Sequence, residues 1–383
     1  MTSTLYIGLL IATLLQSTLL IVALLTSKKR NATANYLLCG IIALFSYYAL
    51  IKILCSTELI NNFPNFTQSY RPLPFLIWIL LYYYTRAMTT PGFFFQARDS
   101  VHLVPAVMYT LYLTPYFLSD TATKLQTIST PIPLHYYLAV ILQTVLLLYY
   151  LRLSFNVLQA HEQRLKTNFS NLEKLKLAWL KYLLLAFGFI WGAAFIKAFF
   201  LAPSAADFVI PPILLCLIIY GIGFAALKQP VIFFNTFTEK DRQAPLTSPL
   251  PPENNSQQAQ TIKYKSSGLT EEDIASYKER LLQYLEREKK YLNSDLCLKD
   301  IAKDLHIPSH QLSQVINTGT NGNFYDLINS YRIQEAKQQL TDPIEQGLSI
   351  LDIAYKVGFN SKSAFNNAFK RYTNMTPTQY KNS

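Results

Sequence analysis

The stretch Asp352-Ile-Ala-Tyr-Lys-Val-Gly-Phe-Asn-Ser-Lys-Ser-Ala-Phe-Asn-Asn-Ala-Phe-Lys decides how this chain is read. Asp352, Ile353, Ala354 and Val357 share one helical face, and Gly358 supplies a tight turn. Ser361 to Tyr372 then resumes a helix with Phe365, Phe369 and Tyr372 directed inward. Helix, turn and helix in this order make a unit whose second helix is shaped to enter a major groove. The unit occurs twice: Leu298-Lys-Asp-Ile-Ala-Lys-Asp-Leu-His-Ile precedes Ile350-Leu-Asp-Ile-Ala-Tyr-Lys-Val-Gly-Phe by 52 residues, with Asp300-Ile301-Ala302 in register with Asp352-Ile353-Ala354. Between the copies a helix is expected over Tyr325 to Leu340, with Leu327, Ile328, Tyr331, Ile333, Ala336 and Leu340 apolar. A rigid connector of this kind fixes the separation of two recognition helices, so that both can meet one face of a duplex. Upstream, Thr270 followed by Glu271, Glu272 and Asp273 signals a helix start. That helix continues to about Tyr291 with Ile274, Tyr277, Leu281, Leu282 and Leu285 on one side.

The rest of the chain is of another kind. Overall 51% of the 383 residues are apolar and 15% charged, below the roughly 25% charged of soluble domains. Residues 1–228 hold 16 Lys and Arg against 6 Asp and Glu, whereas residues 229–383 hold 18 against 17. The basic pI therefore comes from the first part and says nothing global about nucleic acid. Locally it does: no acidic residue follows Asp352, while Lys356, Lys362, Lys370, Arg371 and Lys381 do.

Seven apolar stretches can be drawn in the first part: Leu5 to Thr26, Tyr36 to Cys55, Leu73 to Met88, Val101 to Leu118, Leu134 to Leu153, Trp179 to Leu201 and Phe208 to Leu227. Most approach the roughly 20 residues needed to cross a bilayer. The third is the shortest, and its Tyr82, Tyr83 and Tyr84 suit the interface better than the hydrocarbon centre. With the N-terminus outside, the inside loops carry Lys28, Lys29, Arg30, Arg86, Arg98, Arg152, Arg164, Lys166, Lys174, Lys176 and Lys181, and the outside loops only Arg71 and Lys124. Cations are retained on the cytoplasmic side, and seven crossings deliver the C-terminal repeats there too. The first span is expected to be kept as an anchor, because no cation precedes its apolar run and Lys28-Lys29-Arg30 follows it. Lys52, His135 and Lys197 are the ionisable residues within spans to consider. Lys52 is placed to snorkel, His135 to sit at an interface, and Lys197 either to snorkel, to hold a structural partner or to meet an anionic or lipid-like ligand.

From Asn235 to Gly268 the pattern dissolves into Pro245, Pro249, Pro251 and Pro252 and then Asn254-Asn-Ser-Gln-Gln-Ala-Gln, which reads as a linker. The four cysteines, Cys39, Cys55, Cys216 and Cys297, have no ligand spacing, and the five histidines form no pair at helical spacing, so neither a metal nor a cofactor is expected. No HExxH, P-loop, GxSxG or GxGxxG is present, and an enzyme is not the reading.

Residues from about Thr270 to Ser383 resemble the DNA-binding domain of AraC/XylS-type bacterial transcription regulators, most specifically in Asp352 to Lys370 and in Met375-Thr-Pro-Thr-Gln-Tyr. The pairing with a multi-span region is similar to membrane-embedded members of that family. The resemblance implies two helix-turn-helix units joined by a long helix. The first recognition helix would present His310, Ser313 and Gln314, and the second Lys362, Ser363, Asn366 and Asn367. Asn and Gln can pair with adenine and Lys with guanine in the major groove. Lys370 and Arg371 would touch phosphates, and Arg332 would do the same or hold the connector in an ion pair. Two positions depart from the pattern, with His306 and Asn374 standing where glycine is usual; both types tolerate positive φ. Ser309 to Asn317 also lacks Lys and Arg and lies near Asp295, Asp300 and Asp304, which leaves the first unit as a weak DNA binder or as a structural repeat.

The expected fold is all-α: an N-terminal seven-helix transmembrane bundle over 1–234, a flexible linker over 235–268, and a C-terminal double helix-turn-helix domain over 269–383. The expected function is a membrane-embedded, sequence-specific regulator of transcription in a bacterial inner membrane, multi-pass, with its C-terminal domain in the cytoplasm. Its partners would be double-stranded DNA, the lipid bilayer, an unknown small-molecule or lipid ligand of the bundle, and a second copy in a homodimer. The alternative is a membrane transporter or receptor whose cytosolic helical domain binds a protein partner.

Overall fold

The computed structural model describes residues 2–26, 31–57, 59–90, 92–124, 134–173, 175–200, a few positions between 214 and 223, 269–320, 322–342 and 347–382. Among these residues every regular element is helical. The chain divides into two compact units, residues 1–159 with 177–242, and residues 160–176 with 243–383.

In the first unit, α1 (Thr2–Thr26), α2 (Ala32–Ser56), α6 (Leu134–Asn168) and α7 (Ala178–Phe200) are long and apolar enough to cross a membrane, with mean hydropathies of 2.3, 2.1, 1.8 and 2.0 over their most apolar stretches. Their hydroxyls are satisfied within the helices: Thr13 Oγ1 donates to Leu9 O at 2.8 Å and Ser17 Oγ to Thr13 O at 2.7 Å. Internal satisfaction is what a water-free surrounding demands. Asn31 caps α2 and donates its Nδ2 to Ala87 O at 2.6 Å, fastening α2 to the end of α3 (Leu73–Thr89). Leu10, Leu38, Ile41, Ile42 and Ile79 form the centre of the core. Among the described residues, the large apolar side chains left exposed lie in this unit, apart from Leu351, Tyr355 and Tyr372.

The third drawn segment is a helix of 17 residues whose Tyr83 and Tyr84 are buried within the unit, with Tyr83 Oη donating to Asp99 O at 2.8 Å. Two of the drawn segments differ from expectation. The fourth is not one helix: a 3-10 turn (Ala97–Leu103) leads into α4 (Val104–Tyr112) and then α5 (Thr114–Leu118). Pro115 has no N–H to continue the ladder, and its ring disfavours a straight helix at that point. The fifth runs on to Asn168, with its last nine residues in the second unit. The seventh, Phe208 to Leu227, lies largely outside the described residues, as does the linker expected over 235–268. Lys52 lies over the Tyr70 ring at 4.5 Å and that of Tyr48 at 5.4 Å, His135 against the Tyr112 ring, and Lys197 in the last turn of α7.

The second unit holds both repeats. α8 (Glu271–Glu288) starts on a capping box between Thr270 and Asp273, as its acids predict, but it stops three residues short of Tyr291 because Lys289 turns left-handed at φ 46°. α9 (Leu298–Leu305) and α10 (Ser309–Gly319) form the first helix-turn-helix, and α12 (Ile350–Lys356) and α13 (Lys362–Thr373) the second. Between them runs α11 (Phe324–Thr341), and α14 (Pro377–Lys381) closes the chain. α11 belongs to two cores. Phe324 and Ile328 pack with Leu281, Leu285, Leu312 and Ile316, whereas Ile333, Ala336 and Leu340 pack with Ile353, Ala354, Val357, Phe365 and Phe369. The connector is therefore a strut shared by both repeats.

Candidate nucleic-acid interface

The two turns are built alike. In the first, the N–H of His306 bonds Lys303 O and that of Ile307 bonds Ala302 O; in the second, Gly358 bonds Tyr355 O and Phe359 bonds Ala354 O. His306 has φ 55°, Asn374 φ 58° and Gly358 φ 93°, so all three take the left-handed conformation expected of them. Only Gly358 is confined further: a Cβ there would stand 2.7 Å from Leu292 O and 2.8 Å from Tyr291 O. The helix starts correspond as well, with Cys297 opposite Asp300 in one repeat and Ser349 opposite Asp352 in the other. The Ser349 hydroxyl holds the Asp352 carboxyl below its ordinary range.

α13 has one buried and one open side. Phe365, Ala368 and Phe369 are buried, which leaves Lys362, Ser363, Asn367 and Lys370 exposed along the opposite face, with Asn366 half-buried at its margin. The spacing from Ser363 to Asn367 to Lys370 aligns them on successive turns. Asn366 Oδ1 is buried without a hydrogen-bond partner. Ser361 caps the helix, its Oγ accepting from Ala364 N at 3.2 Å. Four of the six residues expected at the reading and phosphate face of the second repeat, Lys362, Ser363, Asn367 and Lys370, are thus brought together on open surface beside Asn366.

Arg371 is placed differently. It is exposed, but its Nη1 lies 2.9 Å from Asp326 Oδ1 on α11, and Tyr372 Oη donates to Asp326 O at 2.9 Å. Tyr372, expected to point inward, is 38% exposed with its hydroxyl turned to α11, and partial burial first and then the Asp326 charge push its phenol up to about 12. The pair ties the recognition helix to the strut. In the first unit His310 is exposed and Ser313 half-exposed, but Gln314 is 5% exposed and its Oε1 has no hydrogen-bond partner. Gln314 is followed by Val315 and Ile316, both buried, and the inward side of α10 carries it with them.

Arg332 takes neither of its expected roles. It is 0% exposed, and the hydrogen-bond partners described for it are neutral: Tyr291 O at 2.7 Å, Asn293 O at 2.8 Å, Ser170 Oγ at 3.0 Å, Ser170 O at 3.1 Å and Asn329 Oδ1 at 3.3 Å. Burial pulls this guanidinium down to about 10. A planar fork with five N–H donors suits such a ring of acceptors, and an ammonium does not.

Ser170 and Glu173 were not legible as part of this region. Ser170 N and Oγ both donate to Leu296 O, at 3.3 and 2.7 Å. The Glu173 carboxylate accepts from the hydroxyls of Ser361 and Ser363, the latter at 3.1 Å. The only hint in the sequence was an acid within an otherwise basic loop.

Residues 301–383 match a helix-turn-helix domain family. The C-terminal module is a helix-turn-helix domain of the AraC type. Relatives of this AraC-type module include an uncharacterized HTH-type transcriptional regulator of Staphylococcus aureus (strain COL), 32% identical over 91 residues, which are 24% of this chain and 12% of that protein. The Msm operon regulatory protein of Streptococcus mutans is 30% identical over 102 residues, 26% of this chain and 36% of its own. An uncharacterized HTH-type transcriptional regulator of Pseudoalteromonas carrageenovora is 32% identical over 94 residues, 24% of this chain and 53% of its own. The chain thus spans between 12% and 53% of the length of these curated relatives. A solved structure, the C-terminal domain of AraT, a response regulator from Geobacillus stearothermophilus, is 30% identical and covers 27% of this chain and 83% of its own, with a TM-score of 0.25.

Proposed function

We propose that this chain is a membrane-embedded, sequence-specific DNA-binding regulator of transcription. The observation that carries the reading is the open face of α13. Lys362, Ser363, Asn367 and Lys370 stand opposite a core of Phe365, Ala368 and Phe369, so that base-reading and phosphate-holding groups share one helical surface. The Msm operon protein and the HTH-type regulators give the same sense to the module by their names. His310 and Ser313 make a second and less charged surface on α10, so the α13 unit dominates affinity.

The membrane half of the proposal rests on apolar side chains that face outward. Leu15, Leu19, Phe189 and Phe200 are among them, on helices of membrane-crossing length. Exposed apolar area of this extent is untenable in water and ordinary in lipid. The cations of the loops, gathered on the side opposite an outward N-terminus, favour an orientation that puts the AraC-type module in the cytoplasm of a bacterial cell, where DNA is within reach. On this reading the bundle takes a small apolar molecule, a lipid or a membrane state as its signal, and two copies of the chain meet on neighbouring half-sites.

The test is a footprint of the full chain, held in lipid nanodiscs, on chromosomal fragments that it selects from a genomic pool. Asn366→Ala with Asn367→Ala is expected to abolish selectivity while leaving non-specific binding at low salt. Undiminished selectivity in that double variant would remove α13 from the reading role.

A further inference from the structure

Residues 160–176, the last turns of α6 and the segment that leads from it toward α7, pack as part of the DNA-binding unit. Their grip has a firm end and a loose one. At the firm end Ser170 is 1% exposed, held by Arg332 through both its carbonyl and its hydroxyl and by its own donations to Leu296 O. Beside it, Phe169 pairs with Cys297 in an isolated antiparallel bridge. Three residues on, at the loose end, Glu173 is exposed and its Oε1 accepts from Ser361 and Ser363 at the start of α13.

A carboxylate seated on capping hydroxyls at the N-terminus of a helix occupies ground that a phosphate would use. The helix dipole, the free N–H groups and the serine hydroxyls favour either anion. We propose that Glu173 is an intramolecular stand-in for a DNA phosphate: the 169–173 strap clasps the recognition helix and must let go before α13 can seat in a groove. The proposal rests on α13 being the DNA-reading helix and adds how that helix is held back.

The buried anchor makes the clasp effective, because Ser170 keeps Glu173 within a few ångströms of its site and the contact forms at high effective concentration. Its exposure makes the clasp releasable, since a solvent-facing contact is worth little against a polyanion carrying many charges. The chain also supplies a handle. Glu173 lies midway between the end of α6 at Asn168 and the start of α7 at Ala178, both apolar helices of membrane-crossing length. A shift of either helix therefore reaches the clasp through a few residues of backbone.

The experiment uses the full chain in lipid nanodiscs and a fluorescent mixed-sequence duplex, read by anisotropy. Glu173→Ala is expected to bind about fivefold tighter or better than the unsubstituted chain, and Glu173→Gln to fall between them. Lys370→Ala serves as the independent arm, since it weakens binding if α13 meets DNA. If Glu173→Ala binds no tighter while Lys370→Ala still weakens binding, the clasp is overturned and the DNA-reading helix stands. If none of the proteins binds the duplex, the DNA reading fails and takes the clasp with it. Competition is also reciprocal, so duplex must speed amide hydrogen exchange across residues 169–173 of the unsubstituted chain. Exchange there that ignores saturating duplex contradicts the proposal, and this second readout does not depend on a variant folding.

Discussion

At the scale of single residues, two positions hold the AraC-type module together. Gly358 combines φ 93° with the close approach of Tyr291 O and Leu292 O. Gly358→Ala adds left-handed strain to a clash against backbone that cannot swing aside, and should destabilise the unit by about 2 kcal/mol or more. Thermal melting measures it, and an unchanged midpoint would show that the turn has slack. Arg332 spreads its donors over Tyr291, Asn293, Asn329 and Ser170. Arg332→Lys keeps the charge but not the fork, leaving buried carbonyls unmet at a cost on the order of 3 kcal/mol. The glycine was legible in the sequence, because a turn between two periodic segments needs it. The arginine's role was not: its acceptors come from loops whose paths no local pattern describes, one of them 162 residues away. Glu173 was hidden for the same reason.

Among the elements, the repeats were legible almost to the residue, since capping boxes, turn chemistry and apolar spacing agree with one another in each copy. The connector came out as Phe324–Thr341 against an expected Tyr325 to Leu340. The faces of α10 were harder to read. Gln314 was expected on the open side, but burial of Leu312, Val315 and Ile316 rotates it inward, and a short polar helix gives the sequence little with which to fix that rotation. The helix starts lead to a prediction about acid. The backbone of Thr270 and the hydroxyls of Tyr284 and Ser349 hold the carboxyls of Asp273, Asp304 and Asp352 below their usual range. A lowered carboxylate adds stability that is complete above the unfolded aspartate pKa of about 3.9 and is lost as pH falls below it. The second unit should therefore melt lower as pH drops through that window. The deficit of Asp352→Ala near neutrality should shrink as pH falls below the unfolded aspartate value of about 3.9, because the advantage of the lowered carboxylate is lost in that direction. On α13 itself, Lys370→Ala should lower the salt dependence of DNA binding by about one unit of slope. Arg371→Ala should change it less, because that guanidinium is engaged with Asp326.

For the whole molecule, hydropathy announced plainly the four helices among the described residues that are long and apolar enough to cross a membrane, α1, α2, α6 and α7. It drew the Val101 to Leu118 segment as continuous because apolar content alone does not register the break that Pro115 imposes. Nor did it show that residues 160–176, read as a loop rich in cations, fold with the DNA-binding unit. The proposed orientation predicts that a C-terminal tag on the full chain is shielded from protease in intact spheroplasts and destroyed in inside-out vesicles; the reverse pattern would place the module on the wrong side of the membrane. The central claim is that a bilayer-held chain reads DNA through the open face of α13. It is tested most directly by cross-linking the full chain to the chromosome in living cells and sequencing what is recovered with the membrane fraction. A small set of discrete sites, lost in the Asn366→Ala, Asn367→Ala double variant, is the result expected. Recovery no greater than from cells lacking the protein, or the same sites in the double variant, would contradict it.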